Sequence, residues 1–398
     1  MHAPGPNPVL LTANLVAQLA FGLLAMTICL PSMQDWTGEF QASEAAVQLT
    51  FAGFVAAYGC MQLVYGPLSD RIGRKRVLLI GLSVSLVGLL VAAAAPNLTV
   101  LTLGRVLQGA GSAAGMVTGR ALVQDLFHGN ERTRVMAFIG MAMGVVPPLS
   151  TLLGGQLHVQ LGWQANFVLM AGVALVLMVA AWRGLPGRPP QAGKPTGGLR
   201  QLLAGYVQLL RQPAFVLYVL LLASTTATFY SFLGGTPLVL KGYGVPPEHL
   251  GWYIGVIPVA YIFGNFVTMR LAQRRSDAFI VNRGQALTLA GLLIVVALGL
   301  AGVRHPLALA LPLLLLGIGH GLLVPPTLIG TVGLVPALAG AAAALAGVTQ
   351  QLLGASGGFV VSLVSHDGQT HLGLVMLGWA LLGLTAQLLL YGRVLKRR

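Results

Sequence analysis

The chain has 398 residues, of which 56% are hydrophobic and only 8% are charged. Soluble domains carry about 25% charged residues, so this composition excludes an ordinary soluble protein and indicates one embedded in lipid. The formal net charge of +14 could suggest nucleic-acid binding, but the basic residues lie between hydrophobic segments and do not cluster with aromatic residues on one polar domain, which argues against that class.

Hydrophobic segments of about 20 residues recur along the chain, and each is long enough to cross about 30 Å of hydrocarbon as a helix. We predict six of them at 9–31, 46–66, 77–96, 99–122, 134–157 and 165–182. Six more are predicted at 213–235, 251–272, 284–303, 307–330, 338–364 and 371–391. The first segment is too long for a secretory signal and no Lys or Arg precedes it, so we expect it in the mature protein.

The longest polar stretch, 183–212, is rich in Gly, Pro, Lys and Arg, a composition typical of a linker. It divides the chain into parts of nearly equal length, 1–182 and 213–398, each with six predicted segments. The sequence therefore predicts an all-α membrane protein in which twelve transmembrane helices form two six-helix halves around a cytoplasmic linker.

Lys and Arg are distributed unequally between the two sides of the membrane. If both termini face the cytoplasm, 20 of the 23 basic residues lie on the inner side, Lys241 and Arg304 lie outside, and Arg105 lies within a segment. Cytoplasmic loops of membrane proteins are enriched in basic residues. We therefore predict a multi-pass protein of the inner (plasma) membrane with both termini in the cytoplasm.

The inner loop between the second and third segments, residues 66–76, reads GPLSDRIGRKR. Gly66 would allow close helix packing, Gly73 would permit a tight turn, and Asp70 could face a helix N-terminus. A plain basic loop needs no Asp or Gly at fixed spacing. This stretch resembles the loop signature of the major facilitator superfamily. The resemblance implies gating roles for Asp70, Arg71 and Arg74, with Asp125 at the inner end of segment 4 as the partner of Arg74.

Arg105 lies within the fourth segment, in the sequence LGRVLQGAG. A charge inside a membrane helix costs roughly 2.5–3.5 kcal/mol, so such residues usually face a cavity and have a function. The segment resembles the span-4 motif of drug:proton antiporters, which implies that Arg105 takes part in coupling. The alternative is an arginine that reaches toward the outer interface and is held by Gln108 and backbone carbonyls.

The fifth segment contains Pro147, Pro148, Gly154 and Gly155. Proline removes a backbone hydrogen bond and glycine allows a neighbouring helix to approach, so these residues could make the helix pliable; the general abundance of glycine is the alternative explanation. The segment resembles the antiporter motif of this position. Together with RALVQDLF at 120–127 and LGWQANF at 161–167, it is similar to the bicyclomycin-resistance group of twelve-span drug:proton antiporters.

The sequence departs from that group at the end of the first segment. Relatives of this type carry an acidic residue just before a Leu-Pro pair, but here Thr27 stands at that place and no Asp or Glu lies deep in any segment. Proton exchange needs a titratable group. Besides Arg105, the candidates are Asp35, just beyond segment 1, and His320, near the middle of segment 10. A solvated Asp35 and a neutral, hydrogen-bonded His320 are the alternatives.

Uncharged polar and aromatic side chains are the candidates for substrate binding, since lipophilic ligands bind in apolar pockets with a few polar anchors. We select Gln18, Gln108 and Tyr230, although any such amide could instead join two helices. Catalytic constellations, a phosphate-binding loop and metal-ligand clusters are not evident in the sequence, so we expect no enzyme activity, cofactor or metal.

These observations lead to one functional hypothesis and one alternative. The first is a monomeric secondary active transporter that couples protons to the efflux of small amphipathic compounds or drugs. Its partners would be the substrate, protons and the lipid bilayer, and no nucleic acid. The alternative is an uncoupled or differently coupled facilitator or exporter of another small metabolite, which the missing carboxylate of segment 1 favours.

Overall fold

The computed structural model describes residues 8–127, 129–186, 199–335 and 338–394, and these residues form helices and short connections without a strand. The helices of the first part are α1 (Pro8–Thr27), α2 (Met33–Glu39), α3 (Glu44–Ile72), α4 (Arg74–Ala93), α5 (Leu98–Leu126), α6 (Gly129–Leu161) and α7 (Gln164–Gly184). Those of the second part are α8 (Leu199–Leu210), α9 (Pro213–Gly242), α10 (Leu250–Ile254), α11 (Val256–Leu271), α12 (Asp277–Leu300), α13 (Pro306–Ala310), α14 (Leu313–Gly333), α15 (Ala339–Ser362) and α16 (Gln369–Leu389).

Each predicted membrane segment corresponds to a helix or to two consecutive helices, which confirms the twelve-helix fold. Among the described residues, ten such units are long and apolar enough to cross a membrane by length and hydropathy alone. The other two are α5 and α6. Along α5, Arg105, Gln108 and Ser112 lower the hydropathy, but they are buried inside the protein and are not exposed to lipid.

The first segment is shorter than predicted, because α1 ends at Thr27 and not near residue 31. Pro31 has no N–H with which to continue the helical hydrogen bonds, and the chain instead makes a tight turn in which Leu30 N donates to Thr27 O over 3.2 Å. The turn leads directly into α2. The end of α1 therefore lies among the neighbouring helices, with Ile28 and Leu30 fully buried.

The predicted linker contains a helix that its Gly/Pro-rich composition did not indicate. Residues 187–198 lie outside the described part, but Leu199–Leu210 forms α8. The sequence of α8 repeats apolar residues at helical spacing, and Leu209 packs in a small cluster with Phe215 and Ala342. An amphipathic helix of this kind docks one face on the protein and leaves the other polar.

Helix α5 is packed tightly on several sides because glycine lies at its closest contacts. A methyl group at Gly109 would overlap the backbone of Phe54 on α3, and one at Gly115 would overlap the backbone of Gln18 on α1. At Gly104 the methyl would lie 2.7 Å from the backbone nitrogen of Ala92 on α4. Small residues let membrane helices approach closely. These contacts fix the position of Arg105 relative to three helices.

The two ends of the bundle are named here after one residue each, the Arg74 end and the opposite Asp35 end. At the Asp35 end, helices α1–α7 contact helices α9–α16 through polar side chains. Lys241 Nζ lies 3.4 Å from Asp35 Oδ1, and His366 Nδ1 lies 2.6 Å from Glu44 Oε2. Gln34 Nε2 also donates to the Pro237 carbonyl over 2.8 Å. These contacts join the two parts of the chain at the Asp35 end.

Candidate functional site

Arg105 lies at the end of α1, although it belongs to α5. Its side chain is fully buried, with 0% exposure. Nη1 donates to Ala25 O over 2.7 Å and Nη2 donates to Met26 O over 3.3 Å. Within the described part of the chain, neither carbonyl accepts a backbone hydrogen bond, as expected for the last turn of a helix. The guanidinium therefore caps the C-terminus of α1.

This cap explains how a positive charge can be buried without a carboxylate beside it. The aligned peptide dipoles of a helix place partial negative charge at its C-terminus, where cations are stabilised. Gln108 Oε1 accepts a further hydrogen bond of 2.7 Å from Nη1, and the Phe54 ring centroid lies 4.4 Å from Cζ in a cation–π contact. The contacts with Gln108 and with backbone carbonyls that the alternative predicted are present, and the side chain is buried inside the protein.

Aromatic side chains connect this site to α9 and α15. The rings of Phe54 and Tyr58 stack at a centroid distance of 6.1 Å, and Phe51 meets Tyr230 edge to face at 6.0 Å. The Tyr230 hydroxyl donates to Gln351 Oε1 over 3.0 Å. Tyr230 was selected from the sequence, whereas Phe54 and Tyr58 were not selected as site residues. Phe51, Phe54 and Tyr58 follow one another at intervals of about one helical turn along α3. This spacing is the signal that could have identified Phe54 and Tyr58.

No described hydrogen bond joins Gln18 to Gln108 or Tyr230. Its side chain is buried and donates to Leu177 O on α7 over 2.9 Å and to Asn14 Oδ1 over 3.1 Å. These bonds join α1 to α7. This is the arrangement expected of an amide that joins two membrane helices.

Thr27, which occupies the place of the expected carboxylate, contacts α6. Its hydroxyl donates to Leu23 O over 2.8 Å and lies 2.5 Å from Ser150 Oγ. Thr151 Oγ1 donates to Thr27 O over 3.4 Å. Hydroxyl groups thus hold α6 against the end of α1, without a carboxylate in the contact.

The Pro/Gly segment of α6 makes the close helix contacts that its sequence predicted. Pro147 and Pro148 lie inside the continuous helix. A methyl group at Gly154 would overlap Ile28 O, and one at Gly155 would overlap Pro247 O near the start of α10. The glycines therefore let α6 approach the turn after α1 on one side and the second part of the chain on the other.

The loop signature forms an ion-pair cluster at the Arg74 end. Arg74 Nη1 lies 2.5 Å from Asp70 Oδ1, and Arg74 Nε lies 3.5 Å from Asp125 Oδ2. The predicted pairing of Arg74 with Asp125 is present, whereas Arg71 is exposed. Gly73 has φ +100°, a conformation that favours glycine, and this turn brings Arg74 back to Asp70.

Gly66 does not have the packing role that we expected from the sequence. A methyl group at this position would lie 3.9 Å from Val117 Cγ1, which is an ordinary van der Waals contact. The backbones of α3 and α5 are therefore not forced together at Gly66. The close approach of these helices occurs instead at Gly109, nearer to Arg105.

No described hydrogen bond or ion pair joins either of the remaining two candidates, Asp35 and His320, to Arg105. Asp35 lies on α2, is 52% exposed, and pairs with His158 at 2.9 Å as well as with Lys241. His320 lies on α14 and is 5% exposed, and no described side chain is hydrogen-bonded to its ring. His320 is thus buried in the second part of the bundle, whereas Asp35 lies among the polar contacts of the Asp35 end.

Comparison with known proteins identifies the family. Residues 11–358 match the sequence model of the Major Facilitator Superfamily. The chain is 30% identical to multidrug resistance protein D of Escherichia coli K12, over 91% of each chain. It is 28% identical to a chloramphenicol resistance protein of Pseudomonas aeruginosa, over 90% of this chain and 85% of that protein.

The fold also matches solved structures. A crystal structure of the peptide transporter POT in complex with sulfate aligns with a TM-score of 0.77 and 16% identity, over 96% of this chain and 94% of that chain. At this identity the likeness concerns the fold alone. The family model and the relatives named above confirm the family that the sequence motifs indicated. The chain belongs to the Major Facilitator Superfamily and is a multi-pass membrane transporter.

Proposed function

We propose that this transporter exports small amphipathic compounds, including drugs, and that protons drive the export. Both relatives described above are named for drug resistance. The observation that carries the proposal is Arg105, because a charge that is fully buried in a membrane helix is expensive and usually serves substrate or ion movement. It lies where α1, α3 and α5 meet, next to aromatic side chains that lead to α9 and α15.

The Arg74 end faces the cytoplasm in this proposal, and both termini lie there too. The support is the bias of Lys and Arg, 20 of 23, toward that side. The protein would act as a monomer in the inner membrane. Its two halves would comprise residues 1–182 and 213–398, joined by a cytoplasmic linker at 183–212.

Transport would proceed by rocking of the two halves around the centre, as in other transporters built from repeats. The contacts of the Asp35 end would break when that end opens. We assign gating roles to two groups of residues. The first is the loop cluster with its turn: Asp70, Arg71, Gly73, Arg74 and Asp125. The second lies on α6: Pro147, Pro148, Gly154 and Gly155. Gly66, which belongs to the same motif, has space for a methyl group and needs no special role.

Replacing Asp70 with Asn tests the gating role of the loop cluster. Asp70 and Arg74 are partly exposed, and such ion pairs contribute only about 0–1 kcal/mol, so we expect little change in thermal stability. The export rate, in contrast, should fall about fivefold or more at equal protein levels. Asp277→Asn is the matched control, since Asp277 lies near the same end at the start of α12. An unchanged rate for Asp70→Asn would show that the cluster has no gating role.

Coupling would involve Arg105, with His320 and Asp35 as the titratable candidates. Imidazole exchanges protons in the physiological range, and His320 is buried in a helix of the second half. Asp35 lies at the outer end, where it could exchange protons with the outside when that end opens. Gln108 lies beside Arg105, and Tyr230 lies on α9 beside Phe51 and Gln351. Both would contact the substrate. The contacts of Gln18 support a role in joining α1 to α7 instead.

A facilitator or exporter without proton coupling is the second candidate. The observation that favours it is Thr27, whose hydroxyl bonds to Leu23 O and Ser150 fill the place of the expected carboxylate. Such a protein would still move its substrate down a concentration gradient. It would not release protons in exchange.

Export is tested by the accumulation of labelled drugs in bacteria that lack their main efflux pumps. Cells that express this chain should accumulate at least several-fold less of one or more compounds in a panel of neutral, anionic and cationic drugs. Cells that express Arg105→Ala at the same level should accumulate as much as cells without the gene. Equal accumulation of every compound, with or without the chain, would contradict the export proposal.

A further inference from the structure

Three hydrogen-bond donors in the region where α1, α3 and α5 meet are buried and have no partner among the described residues. They are Arg105 Nε, Gln108 Nε2 and the hydroxyl of Tyr58. Buried polar groups are almost always paired, so unpaired donors mark a place that water or a ligand completes. The three belong to α3 and α5, on either side of the α1 end that Arg105 caps.

These donors lie close to one another. Gln108 is hydrogen-bonded to Arg105, and the ring of Phe54 contacts both the Arg105 guanidinium, at 4.4 Å, and the ring of Tyr58, at 6.1 Å. The Tyr58 hydroxyl lies against Gly22 of α1, where a methyl group would be 3.1 Å from its oxygen. Gly22 is about one helical turn before the carbonyls that Arg105 caps. Phe54 therefore lies between Arg105 and Tyr58, and the three donors border the same region of the contact between α1, α3 and α5.

The charge of this region is positive. None of the nine Asp and Glu residues of the sequence falls in the middle of a membrane-crossing helix. At an effective dielectric constant of about 20, repulsion by Arg105 would lower the binding affinity for a cation about 6 Å away by roughly a hundredfold.

We propose that this centre binds the hydrogen-bond-accepting end of an uncharged or anionic amphipathic compound and rejects cations. The accepting group would pair with Arg105, Gln108 and Tyr58, and the apolar body would lie against the aromatic side chains between α3 and α9. An anionic group would also compete with the carbonyls of Ala25 and Met26 for Arg105. Substrate binding would thereby loosen α1 from α5. This inference rests on the proposed transport function and specifies its substrate class.

The test uses three compounds with the same ring and different fixed charge. Naphthalene-2-sulfonate is an anion, naphthalene-2-sulfonamide is neutral, and 2-naphthyltrimethylammonium is a cation. Each is loaded into lipid vesicles that contain the purified full-length protein, and its release down its own gradient is followed by naphthalene fluorescence. Vesicles without protein give the background. Because release follows the gradient of the compound, no imposed proton gradient is needed.

We expect the sulfonate and sulfonamide to leave at least tenfold faster than background and the cation to leave at the background rate. Tyr58→Phe should slow the first two about fivefold, as the loss of one hydrogen bond predicts. Tyr65→Phe, the same change elsewhere on α3, should leave them unchanged. Release of the cation as fast as the sulfonate, an unchanged rate in Tyr58→Phe, or no release of any compound would each overturn the inference. The drug accumulation assay decides separately whether the chain exports anything.

Discussion

Arg105→Ala is expected to be among the most damaging substitutions in this protein, lowering both stability and transport. It leaves Ala25 O, Met26 O and Gln108 Oε1 without the donor that now pairs with them. A buried acceptor that loses its partner costs about 1–3 kcal/mol. After allowing for the charge that no longer has to be buried, we expect a net loss of about 3 kcal/mol, a lower thermal unfolding midpoint in detergent, and export at the background rate.

Two further variants make this result specific to Arg105. Arg105→Lys keeps the positive charge but replaces a planar group with five donors by a single ammonium, so it should be intermediate in stability. Arg120→Ala removes an exposed arginine from the same helix, one without a described ion pair, and should change the unfolding midpoint little. Equal midpoints for Arg105→Ala and Arg120→Ala would contradict the capping of α1 by Arg105.

Gly154→Val is expected to block transport by separating α6 from the turn after α1. A methyl group at Gly154 would overlap Ile28 O, and because this atom belongs to the backbone, no side-chain rotation can relieve the contact. Overpacking of this kind typically costs 1–3 kcal/mol. It should also displace Ile28 and with it the end of α1 that Arg105 caps. We expect the export rate to fall more than tenfold at equal protein levels in the membrane.

Gly172→Val provides the matched control, because a methyl group at Gly172 on α7 meets nothing within 4 Å. It should transport at close to the rate of the unchanged protein. If Gly154→Val and Gly172→Val transported equally well, the close contact between α6 and the end of α1 would not be needed for function. Western blotting of membrane fractions would confirm that the variants are present in equal amounts.

The features that could be predicted from the sequence are those with a signature in side-chain type and spacing. The length of the hydrophobic segments predicts the twelve membrane-crossing helices, because each must span the same thickness of lipid. The position of Gly73 likewise predicted the turn before Arg74, and the family resemblance implied the pairing of Arg74 with Asp125 that the structure contains.

The features that could not be predicted depend on backbone atoms or on tertiary packing. Arg105 was recognised as unusual, but its main partners are carbonyls of α1, and any residue type supplies a carbonyl. One sequence signal, Pro31, could have predicted the early end of α1. We took Pro31 as the last residue of the first segment, whereas the helix ends before it, at Thr27. Gly66 shows the opposite error, because it matches a family motif at a position where the structure leaves space.

Proton antiport is measured most directly in energised everted vesicles that contain the protein, with a dye reporting the luminal pH. Addition of a transported compound should release protons from the lumen, and the release should be absent in Arg105→Ala vesicles. If His320 carries the proton, His320→Ala should abolish the release while the labelled compound still crosses down its gradient. A compound that crosses the membrane without any proton release in the unchanged protein would contradict proton coupling and identify an uncoupled facilitator.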